Sequence, residues 1–323
     1  MTELDAERIR DALIAARDLT NPGATSRRGA GPSFGHVLQQ STRVRALLAE
    51  HLDRSGPDAA AVERELASGR AESAQRLAQH KVDAVRQSTS RAGALRSLFE
   101  AQKAALQSVV ASGPAIEYHA IDSPVEIWAT NAVDLESSTI QPWNSRAKVR
   151  LDLELYHGWQ YAILQGPPEF LHFYYLWHNR RDTYTVVTVN GWMALNGFCS
   201  AHSRGGAFLG GYSRLRLDPS LDLVETWTQP ISSAPAQAGQ SEHALDISAD
   251  SRGLFTDDQT TYVVEFRGFL LNYEQAIVPP DQYLIIDVAL SFTAEVDTGK
   301  ISADFATGEF DVLCPLVEVA TLS

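Results

Sequence analysis

The pattern of the chain changes at Gly113–Pro114. Upstream, Ala, Arg, Gln and Ser recur at helical spacing, and Phe34 and Phe99 are the only aromatic residues. Downstream, runs of alternating apolar and polar residues take over and carry every Trp and Tyr of the chain. A period of 3.6 and a period of two bury different faces, so they mark different elements. The switch predicts a two-part α+β molecule: a helical arm over 1–112 and an antiparallel β-sandwich body, jelly-roll-like, over 113–323.

Charge divides at the same place. Residues 1–112 hold 16 Lys and Arg against 13 Asp and Glu, whereas 113–323 hold 11 against 27. An acidic body does not suit phosphate backbones, and the arm is too balanced to grip them, so no nucleic-acid partner is expected.

The arm reads as three helices, at about 3–18, 33–53 and 58–112. The third has no Pro, and Gly69 and Gly93 are the only places where it is expected to break. Unbroken, it would be about 80 Å long at 1.5 Å per residue. Its apolar residues climb in steps of eleven: Leu66, Leu77, Ser88, Phe99, Val110, and Val62, Ser73, Ala84, Leu95, Leu106. That period favours nearly straight or slightly right-handed helix packing. The arm is therefore expected to form a hairpin of coiled-coil type. It would mediate a homo-oligomer or a larger protein assembly through 57–112, with Leu66, Leu77, Leu95, Phe99 and Leu106 as contacts.

In the body, Lys148–Tyr156 alternates strictly and predicts a half-buried strand. Further strands are expected at 116–121, 125–129, 169–178, 182–190, 192–202, 212–217, 221–228, 244–249, 261–271, 283–292, 298–305 and 309–319. Asn190–Gly191, Asn196–Gly197 and Asp218–Pro219 are among the turn signals between them. Phe170–His178 is apolar or aromatic on both faces and reads as a central strand covered on both sides. Residues 229–240 read as a polar loop, too rich in Pro and Ala for a strand.

Searches for chemistry find no catalytic motif. His157, His172, His178, His202 and His243 lack metal-ligand spacing, and Asp246–Asp258 lacks the ligand order of a calcium loop. No phosphate-binding, dinucleotide or esterase motif is present, and neither metal nor cofactor is expected. Cys199 and Cys314 read as buried thiols. Trp143, Trp159 and Tyr161, in loop-like surroundings, are the candidates for stacking on a sugar.

These readings lead to a non-enzymatic assembly or binding protein, whose arm associates and whose acidic sandwich displays a surface for a glycan or protein ligand. Two alternatives stand beside it: a pore-forming or delivered toxin with a receptor-binding β domain, and a carbohydrate-active enzyme built on a sandwich. With no signal peptide and no stretch of the roughly 18 apolar residues a span needs, a cytoplasmic location is expected, signal-independent export remaining open.

Overall fold

The structure is a computed structural model. It describes residues 116–155, 164–165, 168–205, 211–227, 237–251 and 257–322, with parts of two helical stretches within 6–17 and 64–89. The helices are α1, seen at 9–14 and at Arg17, and α2, at 74–87.

Fourteen strands follow: β1 Ile116–Ile121, β2 Glu126–Ala129, β3 Asp134–Thr139, β4 Arg146–Leu155, β5 Leu164–Gln165, β6 Glu169–His178 and β7 Thr185–Arg204. Then come β8 Gly211–Glu225, β9 Gln237–Ser241, β10 Leu245–Ser251, β11 Asp257–Val278, β12 Tyr283–Val296, β13 Gly299–Phe305 and β14 Asp311–Leu322. They build two antiparallel sheets. Sheet A runs β1-β14-β4-β13-β7-β11 with β3 on β4; sheet B runs β10-β8-β12-β6-β2 with β5 on β12 and β9 on β8.

One continuous core lies between the sheets. Sheet A contributes Val149, Leu151, Val187, Val189 and Leu195, and sheet B contributes Phe173, Tyr175, Leu215, Ile286 and Leu290. Each such side chain stabilises the fold by about 1.5–3 kcal/mol through burial alone. The alternation predicted for β4 is present, with Ala147, Val149 and Leu151 inward and Arg150 and Asp152 outward. β6 is covered on both faces: Leu171, Phe173 and Tyr175 enter the main core, and Tyr174 joins a second cluster on the outer face.

The long helical arm is not what the chain builds. Among the described residues the molecule is mostly β-sheet with two short helices, and no helical hairpin or coiled coil occurs. Each helix lies flat on the outside of a sheet. Ala12 and Leu13 of α1 pack on Tyr174, Val224 and Ile285 of sheet B, and Arg17 pairs with Glu126 and sits 5.6 Å over the Trp128 ring. Leu77, Ala84 and Val85 of α2 pack on Phe198 and Phe310 of sheet A. Lys81 pairs with the buried Asp304, and Arg76 with Asp257 at 3.1 Å. The physical reason is that a narrow stripe with a small residue at Ala84 fits a flat aromatic sheet face as well as another helix. Leu77 therefore faces sheet A. Leu66, Leu95, Phe99 and Leu106 lie outside the described residues, as do the predicted helix at 33–53 and the joint at 113. No described helix is long and apolar enough to cross a membrane.

Three expected turns are interior to long strands: Asn190–Gly191 and Asn196–Gly197 within β7, and Asp218–Pro219 within β8. Part of the expected polar loop is the short strand β9. Where the edge strands of the two sheets meet, β10 and β11 are joined by side chains and not by a ladder. Thr260 Oγ1 donates to Ser248 O at 2.7 Å, Arg267 Nη1 donates to Ala244 O at 2.6 Å, and Asp258 Oδ2 accepts from Asp250 N at 2.7 Å.

Candidate functional site

The outer face of sheet B has two halves. One is apolar and lies under α1. The other is polar, and strand register fixes its layout. Leu215, Leu217, Leu245, Ile247, Ala249, Phe292, Ala294 and Val296 point into the core, so their neighbours point outward. Glu295, Arg214 and Ser248 then form one row across β12, β8 and β10. Thr293, Arg216 and Asp246 form the next. Beyond the first row, Tyr212 stands opposite Asp250, and Asp297 N donates to Tyr212 O at 2.8 Å.

Ion pairs hold these side chains in place. Arg214 grips Asp246 with both ends of its fork, Nε to Oδ1 at 2.7 Å, and its Nη1 lies 4.0 Å from Glu295. Arg216 Nε donates to Asp218 Oδ1 at 3.0 Å, and His243 Nδ1 lies 2.9 Å from the same carboxylate. The hydrogen bond from Arg214 holds the Asp246 carboxyl below its usual range, and the Asp246 partner raises Arg214. Burial raises the Tyr212 phenol, and burial pushes the Asp297 carboxyl up to about 6. Mutual pairing accounts for the first two shifts and burial for the other two. The set offers fixed donors, fixed acceptors and one aromatic ring, which is the equipment for recognising a hydroxyl-rich ligand.

Of the residues singled out from sequence, Trp143 is half-buried in the β3–β4 turn, at φ 61°. Trp159 and Tyr161 lie outside the described residues. Trp143 does not belong to the polar face of sheet B. That face went unnoticed in the sequence because its members are ordinary outward residues of three separate segments. Only the Asp246 region had drawn attention, and there Asp246 is taken up by Arg214.

Among the described residues the histidines join no group of three possible metal ligands. Four of them each meet an aspartate. His172 pairs with Asp287, His178 with Asp281 and His243 with Asp218, all at 2.9 Å, and His202 pairs with Asp257. His172 is 1% exposed and stacks on Tyr174 with centroids 5.2 Å apart, tying β6 to β12. Cys199 and Cys314 are free and buried, and burial pushes their thiols far up, Cys314 to about 12.

The fold defines a two-sheet antiparallel β-sandwich. No family model matches the chain, and no curated protein matches it. Among solved structures, it has a likeness to a carbohydrate-binding module, TmCBM27, described for specific mannan recognition. That likeness has 10% identity and a TM-score of 0.22, over 64% of this chain and 99% of the module. A second is to the enzymatically active domain of tailspike protein 4 of bacteriophage CBA120. It has 9% identity and a TM-score of 0.17, over 62% of this chain and 19% of that one. A third is to a lipoprotein of Bacteroides thetaiotaomicron, with 11% identity and a TM-score of 0.19, over 66% and 91%. At these scores the likenesses carry no weight for function.

Proposed function

We propose that this protein is a glycan-binding β-sandwich that holds a neutral or amino-sugar oligosaccharide on the polar half of the outer face of sheet B, without chemical turnover. One observation carries the reading. On the half of the face away from α1, Tyr212 stands opposite Asp250 and its carbonyl accepts from Asp297 N, two residues from an Arg214 fixed by carboxylates. Groups held in position before binding lose little side-chain entropy when a ligand arrives. Asp246 and Glu295 sit by Arg214 and Asp218 by Arg216, and Asp250 and Asp297 adjoin Tyr212, so carboxylates outnumber the two guanidinium groups and acidic glycans are disfavoured.

The test is titration calorimetry of the full chain against tetrasaccharides of mannose, glucose, galactose and N-acetylglucosamine, with product analysis for cleavage. Arg214→Met and Tyr212→Ala should each weaken binding at least tenfold while the unfolding midpoint stays within a few degrees. Binding that survives both substitutions, or no binding by wild type, rules the site out. New reducing ends rule out the absence of turnover.

A further inference from the structure

The half of sheet B under α1 carries a polar pair in an apolar field. His172 of β6 and Asp287 of β12 are 1% and 4% exposed. Asp287 holds the imidazole with both oxygens, which lie 2.9 and 3.0 Å from Nδ1. A carboxylate only accepts, so the proton of the neutral ring sits on Nδ1 and Nε2 is left as a bare acceptor. That nitrogen is buried and has no hydrogen-bond partner. Burying a polar atom unpaired costs stability, and two apolar side chains of the same shape would avoid the loss. An orphaned acceptor of this kind calls for a reason, and a ligand supplies one.

The rings around His172 fix where Nε2 points. Phe170, His172 and Tyr174 are alternate residues of β6 and stack in a file, with centroids 5.4 and 5.2 Å apart. Trp128 of β2 stacks on His172 at 5.5 Å. Stacked rings turn their faces to one another and their edges outward. Nε2 is the ring nitrogen farther from the backbone, so it comes to the outward edge. Trp128 and Tyr174 belong to the cluster that Ala12 and Leu13 of α1 join, and Arg17 of α1 lies over Trp128. The orphaned nitrogen therefore aims into the layer that α1 occupies.

This pair is continuous with the polar half of the same face. Across the strands, Ala289 of β12 stands between His172 and Ser220 of β8, and Ser291 stands between Phe170 and Asp218. Asp218 is the carboxylate that holds Arg216 and His243. Along β12, Asp287 is six residues from Thr293 of the polar half, about 20 Å at the rise of a strand. We infer that the glycan site proposed above continues beneath α1, that α1 is its gate, and that His172 Nε2 accepts a sugar hydroxyl when α1 lifts. The inference rests on the glycan reading of the polar half and adds the length of the ligand and its control. A site that opens only when a helix lifts binds more weakly in proportion to the fraction of open molecules. Short ligands held on the polar half escape that penalty, and longer ones do not.

The test uses the full chain with tetrasaccharides and octasaccharides of the same four sugars, measured by calorimetry. Leu13→Asp and, separately, Arg17→Met loosen α1. Each should tighten octasaccharide binding about tenfold and leave tetrasaccharide binding within about twofold. Amide exchange in α1 should quicken when octasaccharide is added, and not when tetrasaccharide is. Replacing both partners, His172→Phe with Asp287→Leu, should keep or raise the urea midpoint and abolish the gain in the Leu13→Asp background. If that combination does not fold, Asp287→Asn, which frees the ring to move its proton to Nε2, should remove most of the gain. Tetrasaccharide binding with no octasaccharide gain in either loosened variant overturns the gate and leaves the polar half standing. A gain that survives loss of the pair overturns the role of His172. No binding of either length by any of these chains overturns the gate and the glycan reading together.

Discussion

Replacing Asp304 by Asn should detach α2 from sheet A. The carboxylate is 1% exposed and collects five donors. Oδ1 accepts from Ala306 N at 2.9 Å, Thr307 N at 3.0 Å and Arg150 Nε at 3.4 Å; Oδ2 accepts from Thr307 Oγ1 at 2.7 Å and pairs with Lys81. Burial alone would push this carboxyl up; Lys81, Thr307 and the Ala306 N–H outweigh it and bring it from 3.8 down to about 2. A folded-state value below the unfolded one stabilises above pH 4, and that contribution is lost as pH falls towards 2. Its size is about 2 kcal/mol at 1.36 kcal/mol per unit. Asn keeps one acceptor oxygen but turns an N–H towards Lys81. The loss should therefore be about 2–4 kcal/mol, in the range for breaking one side of a buried pair. Urea unfolding of wild type, Asp304→Asn, Lys81→Met and the double variant measures it. The two substitutions should couple by about 1–2 kcal/mol, and Asp304→Asn should flatten the acid limb between pH 4 and 2. Additivity within about 0.5 kcal/mol would refute the pairing as the anchor of α2. An unchanged acid limb would refute the linkage.

Other substitutions probe other parts of the fold. Tyr175→Phe removes a buried hydrogen bond to Cys314 O of 2.6 Å and should cost about 1–3 kcal/mol in urea unfolding, with no change in glycan binding. Asp297→Asn should remove a loss of stability that sets in as pH rises from about 4 to about 6, because burial raises that carboxyl and its ionised form is disfavoured in the fold. Thermal melts across that window should show the variant gaining on wild type by about 1 kcal/mol, discounted for partial exposure. Gly299→Ala places a methyl 1.9 Å from His202 O, a backbone atom, and should lower stability by about 3 kcal/mol or prevent soluble expression.

The alternation of β4 could be read from sequence, and the ranges expected for β1 and β6 match the structure. Glycine misled where it serves packing. A Cβ at Gly191 would lie 2.7 Å from Leu221 Cδ1, and one at Gly197 would lie 2.4 Å from the Phe305 ring. Both residues are small so that side chains from across the core or from the next strand can pass over the strand. Pro219 sits within β8 where the neighbour changes from β10, paired as far as Leu217, to β9, paired from Ser220. No ladder bond misses its N–H there. Periodicity names a buried stripe and not its partner. Leu77 and Ala84 bury against strands. The turn that carries Trp143 was legible, because Gln-Pro-Trp-Asn reads as a loop. The rows around Arg214 were not, since they arise only when register aligns β8, β10 and β12.

The side-chain ties between β10 and β11 bear on how this protein survives crowding. Two sheets with open margins offer two templates to any extended chain nearby, and β11 is 22 residues long. Thr260, Asp258 and Arg267 act as stitches along that seam, each fastening one margin to the other. A stitched seam differs from a hydrogen-bonded ladder in that it can open one fastening at a time while both sheets stay intact. Losing a stitch would therefore show first as a slow tendency to recruit other chains on storage, well before any fall in melting temperature.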